Sequence, residues 1–174
     1  MITLIAGGIG ITPFLPIMKY LKKCSKNRLS RQLRVHLVWS IRDVKLIKTF
    51  KNQLVEVLSN DDDEFKGGTY QSQALTRHGQ EVDNDMTFIT DIYNTSTNNS
   101  NVKDIENAYR KVSFSMYQGR PDLYEIISNS ASSDYSIDIN DHCVIMCGPK
   151  ELLRDASNAC IDKGIDYHSE VFNW

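Results

Sequence analysis

The chain has 174 residues, about one domain by length, and 41% of them are hydrophobic, which is enough for a core of that size. A formal net charge of −2 carries no electrostatic footprint for nucleic acid or for an acidic membrane surface. Four cysteines, Cys24, Cys143, Cys147 and Cys160, lack the spacing of a disulfide framework or of paired CxxC zinc ligands. They read as reduced cytosolic thiols, and no metal site is expected.

Met1 to Met18 is uncharged, and a membrane span needs about 20 mostly apolar residues. Gly7, Gly8, Gly10, Pro13 and Pro16 interrupt the run. No basic segment precedes it and no small-residue cleavage site follows, so neither a span nor a signal peptide is expected and the chain reads as soluble. A strand–turn–helix fits instead. Ile2 to Ala6 is a short apolar run suited to a strand buried on both faces. The three glycines allow a tight turn and close approach to a ligand. Thr12 stands where an N-cap would, Pro13 where the first helical residue would, and Phe14, Ile17, Met18 and Leu21 keep helical spacing. The turn has two readings: a simple connection, or a helix N-terminus whose N–H groups hold a pyrophosphate. It is not a Walker loop, and Pro13 replaces the third glycine of G-x-G-x-x-G.

Strand and helix then alternate. Arg34 to Trp39 predicts a strand, and Asp43 to Leu58 an amphipathic helix with Asp43 as N-cap. Met86 to Ile92 and Lys111 to Tyr117 predict strands. A helix is predicted from Pro121 to Ile127, with proline at or near its first position. Cys143 to Cys147 is a buried strand, Lys150 to Lys163 a helix, and His168 to Phe172 a last short strand. Three polar segments read as insertions: Ser59 to Phe65, Asn94 to Asn101 and Ser128 to Asp134. Two formal glycosylation triplets, beginning at Asn94 and Asn98, have no meaning in a reduced cytosolic domain. The alternation predicts an α/β fold over residues 1–174: a Rossmann-like, doubly wound parallel sheet in three layers, with ligands at the carboxyl ends of the strands.

Four segments should meet there: the glycine turn, Ser40 to Asp43, Gly119 to Asp122, and Cys147 to Pro149. An NAD site places an acid after the second strand for the ribose 2′-OH. Here that place holds Ser40 and Arg42, with Arg120 converging on it, a pattern suited to the 2′-phosphate of NADPH. Each arginine alone would read as an exposed helix-end charge.

The stretches AGGIGITPF, HLVWSIRD, GRPD, MCGPKELLRDA and the terminal EVFNW together resemble the C-terminal NADPH-binding domain of fungal ferric/cupric reductases. That family lies with the NADPH oxidases in the ferredoxin–NADP reductase superfamily. The resemblance covers nearly the whole chain apart from the insertions. It implies hydride donation from NADPH to an FAD held by a preceding β-barrel domain, then one-electron transfer through haems in a transmembrane domain to metal ions outside. Neither of those domains is expected within these residues. FAD and haem would therefore come only with the missing domains, and this domain would sit at the cytosolic face of a membrane without inserting into it. The resemblance places Trp174 over the flavin ring, with Phe172 and Glu170 just before it, and Cys147 beside the nicotinamide. Gly7, Gly8, Gly10 and Thr12 would fix the pyrophosphate, Arg42 and Arg120 the 2′-phosphate, and Cys147, Gly148 and Pro149 would shape the nicotinamide pocket, with Pro13, Ser40 and Pro121 also among the cofactor-binding residues. From the residues alone, Cys147 is equally a small buried hydrophobe and Trp174 a packed or exposed terminus. Two other readings share this nucleotide site: part of a soluble flavin-linked reductase, and a stand-alone NADP(H)-binding regulatory module. The residues do not distinguish iron, copper or oxygen as final acceptor, nor do they reveal the oligomeric state.

Overall fold

The computed structural model describes residues 1–26, 33–58, 87–96, 114–132 and 141–171. Its elements in chain order are β1 (Ile2–Gly7), a 3-10 turn (Gly8–Ile11), α1 (Phe14–Lys26), β2 (Arg34–Ile41), α2 (Lys45–Thr49), α3 (Lys51–Leu58), β3 (Thr87–Asn94), β4 (Ser115–Gln118), α4 (Leu123–Ser132), β5 (Cys143–Gly148), α5 (Lys150–Lys163) and β6 (Asp166–Val171). The strands form one sheet in the order β4-β3-β2-β1-β5-β6, and every pairing is parallel. The order runs outward from β1 on one side and restarts with β5 on the other. Helices cover both faces. The fold is therefore the three-layer, doubly wound, Rossmann-like α/β sheet expected, with its switch point between β1 and β5.

Strand alternation sorts the core into two layers. Leu4, Ala6, Leu37, Trp39 and Ile92 face α1, α2 and α3 through Phe14, Met18, Ile47, Leu54 and Val57. Ile5, Val38, Val144 and Met146 face α4 and α5 through Ile127, Leu153, Ala156 and Cys160. Burying each large aliphatic side chain contributes roughly 1.5–3 kcal/mol, so helix position is set by these contacts more than by propensity.

Several expectations are corrected. The helix predicted over Asp43 to Leu58 is two helices, because Phe50 leaves helical dihedrals (φ −95°, ψ 13°). Asp43 does accept from the Lys45 N–H at 2.9 Å, as a capping side chain would. The helix predicted from Pro121 begins at Leu123, with Asp122 as its cap: the Asp122 carboxylate accepts from the Glu125 N–H at 2.9 Å. Ser128 to Ser132, read as an insertion, continues that helix, which is anchored by buried Ile127. Asn94, a formal glycosylation acceptor, is the last residue of β3 and is 1% exposed, which leaves its amide out of reach of any modifying enzyme. The last strand starts at Asp166, and Gly164 ends α5 in the left-handed region at φ 66°. Ser59 to Phe65, residues 97–101 and 111–113, Phe172 and Trp174 lie outside the described residues. No helix among the described residues is long and apolar enough to cross a membrane.

Candidate nucleotide site

The carboxyl ends of β1 to β5 open into one cavity of about 900 Å³. β1 contributes Gly7 and, just beyond it, Gly8, and β2 contributes Ser40 and, just beyond it, Arg42 and Asp43. Thr95 follows β3, while Arg120, Pro121, Asp122 and Tyr124 come from the β4–α4 junction. Pro149, Glu151 and Asp155 complete the wall from the start of α5. A smaller apolar pocket of about 250 Å³ adjoins it, lined by Gly7, Gly8, Ile9, Gly10, Leu46, Gly148 and Pro149.

The glycines divide their work. Gly8 has φ +57°, a conformation that a side chain would strain, and no atom lies within 4 Å of where its Cβ would be. Gly7 and Gly10 are small for a different reason. A Cβ on Gly10 would fall 2.2 Å from the Cys147 carbonyl oxygen, and one on Gly7 would fall 2.5 Å from Pro149 Cδ. Bare backbone at both positions lets the turn after β1 lie directly against the turn after β5, closing the sheet's switch point beneath the cavity.

Thr12 is not the cap of α1. Its dihedrals are helical (φ −54°, ψ −43°), and its hydroxyl donates back to the Ile9 carbonyl at 2.9 Å. It closes the 3-10 turn instead, so helical structure begins at Gly8. Neither Thr12 nor Pro13 lines either cavity. A feature that the sequence did not signal holds the turn from below. Trp39, fully buried on β2, donates its indole N–H to the Gly8 carbonyl at 2.7 Å. Its ring meets Phe50 edge-on at 6.2 Å.

Arg42 and Arg120 are both exposed into the larger cavity, and neither has an ion-pair partner among the described residues. Arg120 follows Gly119, whose φ of +103° turns the chain at the end of β4 and whose N–H bonds the Asn94 carbonyl at 2.8 Å. The nearby acids are partly engaged, Asp43 and Asp122 each accepting a backbone N–H. Cys147 lies at the end of β5, 1% exposed, with its carbonyl against Gly10. Burial, and after it the Glu170 carboxylate, push its thiol pKa up, so it stays a neutral thiol. Such a thiol is no nucleophile, and its side chain belongs to the core layer with Leu4 and Phe14 and lines neither cavity. Thr95, Tyr124, Glu151 and Asp155 complete the cavity without having been singled out in the sequence. Among the described residues no group of three or more His, Cys, Asp or Glu side chains is placed to hold a metal ion.

A parallel sheet with a glycine turn, paired arginines and a deep cleft at its switch point defines a nucleotide-binding α/β domain. Residues 1–161 match the family model of the ferric reductase NAD-binding domain, and the chain belongs to that family. It is similar to the probable metalloreductase AIM14 of Scheffersomyces stipitis, 26% identical over 98% of this chain and 32% of that protein. Its similarity to the probable metalloreductase AIM14 of Meyerozyma guilliermondii is 25% identity over 97% of this chain and 30% of that protein. The chain thus spans about a third of the length of these relatives. Among solved structures it resembles a ferredoxin NADP⁺ reductase from Neisseria gonorrhoeae with bound FAD and NADP. The TM-score is 0.53 at 16% identity, over 98% of this chain and 55% of that one. The FAD/NAD-binding domain of a Vibrio cholerae nitric oxide dioxygenase gives a TM-score of 0.50 at 16% identity, over 98% of this chain and 50% of that one. These two likenesses bear on the fold.

Proposed function

We propose that this chain is the NADPH-binding domain of a ferric/cupric reductase-like flavoprotein. The observation that carries the reading is the pair of guanidiniums, Arg42 and Arg120, which face one cavity with no ion-pair partner among the described residues. Two exposed, permanently charged forks facing one cleft suit a phosphate monoester. In this reading they hold the 2′-phosphate, with Ser40 and Pro121 beside them. The Gly7–Gly8 backbone borders the pyrophosphate, with Gly10, Thr12 and Pro13 supporting the turn. Cys147, Gly148 and Pro149 are assigned to the nicotinamide end, where Gly148 and Pro149 line the smaller pocket and Cys147 precedes them in β5 with its thiol in the core.

The nicotinamide supplies hydride chemistry, and the residues bind, orient and exclude water. The acceptor would be an FAD in an adjoining domain, followed by haem and then metal ions outside the cytosolic face of a membrane. Phe172 and Trp174 would meet the flavin, Trp174 covering its ring until the nicotinamide takes that place. The relatives' names as metalloreductases support the metal acceptor. On its own, without flavin, the chain is expected to reduce no metal from NADPH.

Calorimetry with NADP⁺ and NAD⁺ tests the nucleotide reading. The chain should prefer NADP⁺. Arg120→Ala should weaken NADP⁺ about 10- to 100-fold, the loss of one charge-assisted contact of roughly 1.5–3 kcal/mol, and leave NAD⁺ nearly unchanged. Equal affinities for the two nucleotides would sink the reading.

A further inference from the structure

We infer that Trp39 is a positioning residue for the dinucleotide, tying the glycine wall of the cavity to the arginine wall through its indole N–H. This rests on the reading of the cavity as a dinucleotide site. Trp39 touches no part of the cavity: it is fully buried beneath it and lines neither pocket. Its position in the strand matters. The next residue along β2, Ser40, lines the cavity, and so does Arg42 just past the strand's end. Its indole reaches across to the turn that follows the neighbouring strand and donates to the Gly8 carbonyl at 2.7 Å.

A buried indole N–H needs an acceptor, and many carbonyls would serve. The one used here belongs to Gly8, the first residue of the 3-10 turn. Gly8 is at φ +57°, has nothing within 4 Å of its Cβ position, and follows another glycine. Backbone of that kind has wide freedom unless something fixes it. The ladder between β1 and β2 ends at Gly7 opposite Ser40, so the ladder does not hold the Gly8 peptide. The indole does. Phe50, edge-on at 6.2 Å and 69°, keeps the ring from turning away. The spacing between the arginine that follows β2 and the glycine backbone that follows β1 is thereby restrained by this side chain. A ligand that bridges the two walls depends on that spacing. A ligand that uses the arginine wall alone does not.

The test compares NADP⁺, which bridges both walls, with 2′-AMP, which carries the 2′-phosphate and adenosine but no pyrophosphate. In the full chain, Trp39→Phe keeps an aromatic ring and removes the donor. The Kd for NADP⁺ should rise about tenfold and that for 2′-AMP by less than twofold. Equal weakening of both, or of neither, overturns the assignment. If the unaltered chain binds neither ligand, the cavity reading itself fails and takes this inference with it.

A second measurement needs no change at Trp39. In ¹⁵N-labelled Trp174→Phe protein the remaining indole N–H signal is that of Trp39. It should be slow to exchange with solvent and should shift on adding NADP⁺ but not on adding 2′-AMP. An indole signal that ignores bound NADP⁺ overturns the proposal even if the Phe variant does not fold.

Discussion

The two ends of the sheet treat polarity in opposite ways. At the amino-terminal half, polar side chains find one another inside the protein. Thr3 is hydrogen-bonded at 2.9 Å to Nε2 of His142, both almost wholly buried, with Nδ1 of His142 left without a partner among the described residues, and His36 lies 2.9 Å from the Asp91 carboxylate with little exposure of either. At the carboxyl end, Arg42 and Arg120 stand open to solvent without ion pairs among the described residues, around bare glycine backbone. Polar groups satisfied within the chain contribute to folding. Polar groups left open at a strand-end cleft are available to a ligand. The contrast teaches which end to assign to recognition before any ligand is seen.

The largest way to break this contrast is to spoil the joint between the two turns. Gly10→Ala places a Cβ 2.2 Å from the Cys147 carbonyl, and backbone on both sides cannot yield cheaply. The expected loss is on the order of 3 kcal/mol, read as a fall in Tm, with nucleotide binding lost as well because the cavity floor moves.

Acid should act on the amino-terminal half through His142. Burial, then the nearby chain amino terminus and His36, lower the His142 pKa from 6.5 to about 4. Between those values the unfolded chain takes up a proton that the folded chain refuses. Stability therefore falls as pH drops from about 6.5 towards 4, by at most about 1.4 kcal/mol per pH unit for this group, and is fully present above 6.5. His142→Gln should flatten that part of the pH–stability profile. A profile identical to that of the unaltered chain would show that another group titrates there.

Asp91→Asn sharpens the comparison with the smallest effect. It removes the carboxylate that Nε2 of His36 meets at 2.9 Å, and a cost of about 1–3 kcal/mol in stability is expected from a half-satisfied, largely buried pair. NADP⁺ affinity should stay within a factor of two of the unaltered chain, since neither residue lines the cavity. A large affinity change would mean that the two ends are coupled.

Much of this architecture is legible in the residues. The runs of β1, β2 and β5 are apolar enough to declare strands buried on both faces, and the glycine and proline punctuation after them locates the cleft. What was not legible has physical causes. Ser, Asn and Ser after Ile127 have poor helix propensity, yet the buried face carries α4 through them. Thr12 has the composition of a cap, but a 3-10 turn beginning at Gly8 had already started the helical run. Thr95, Tyr124 and Asp155 reach the cavity from separate crossovers, and no local spacing links them. Trp39 looks like any core aromatic until the partner of its N–H is known. Phe172 and Trp174, assigned by resemblance to the flavin side, remain proposals.

β6 has a consequence of its own. All six of its residues are exposed, β5 is its partner on one side, and no strand lies on its other side among the described residues. A row of backbone donors and acceptors there is a template on which another extended chain can be laid. Asp166, His168 and Glu170 place ionisable groups along it, with Nε2 of His168 at 3.3 Å from Glu170. Charge on an edge discourages stacking by identical copies, which must bring like groups together. Handled as a separate piece at high concentration, the domain should tolerate low salt better than high salt, because added ions screen the repulsion that keeps one sheet from being extended by the next.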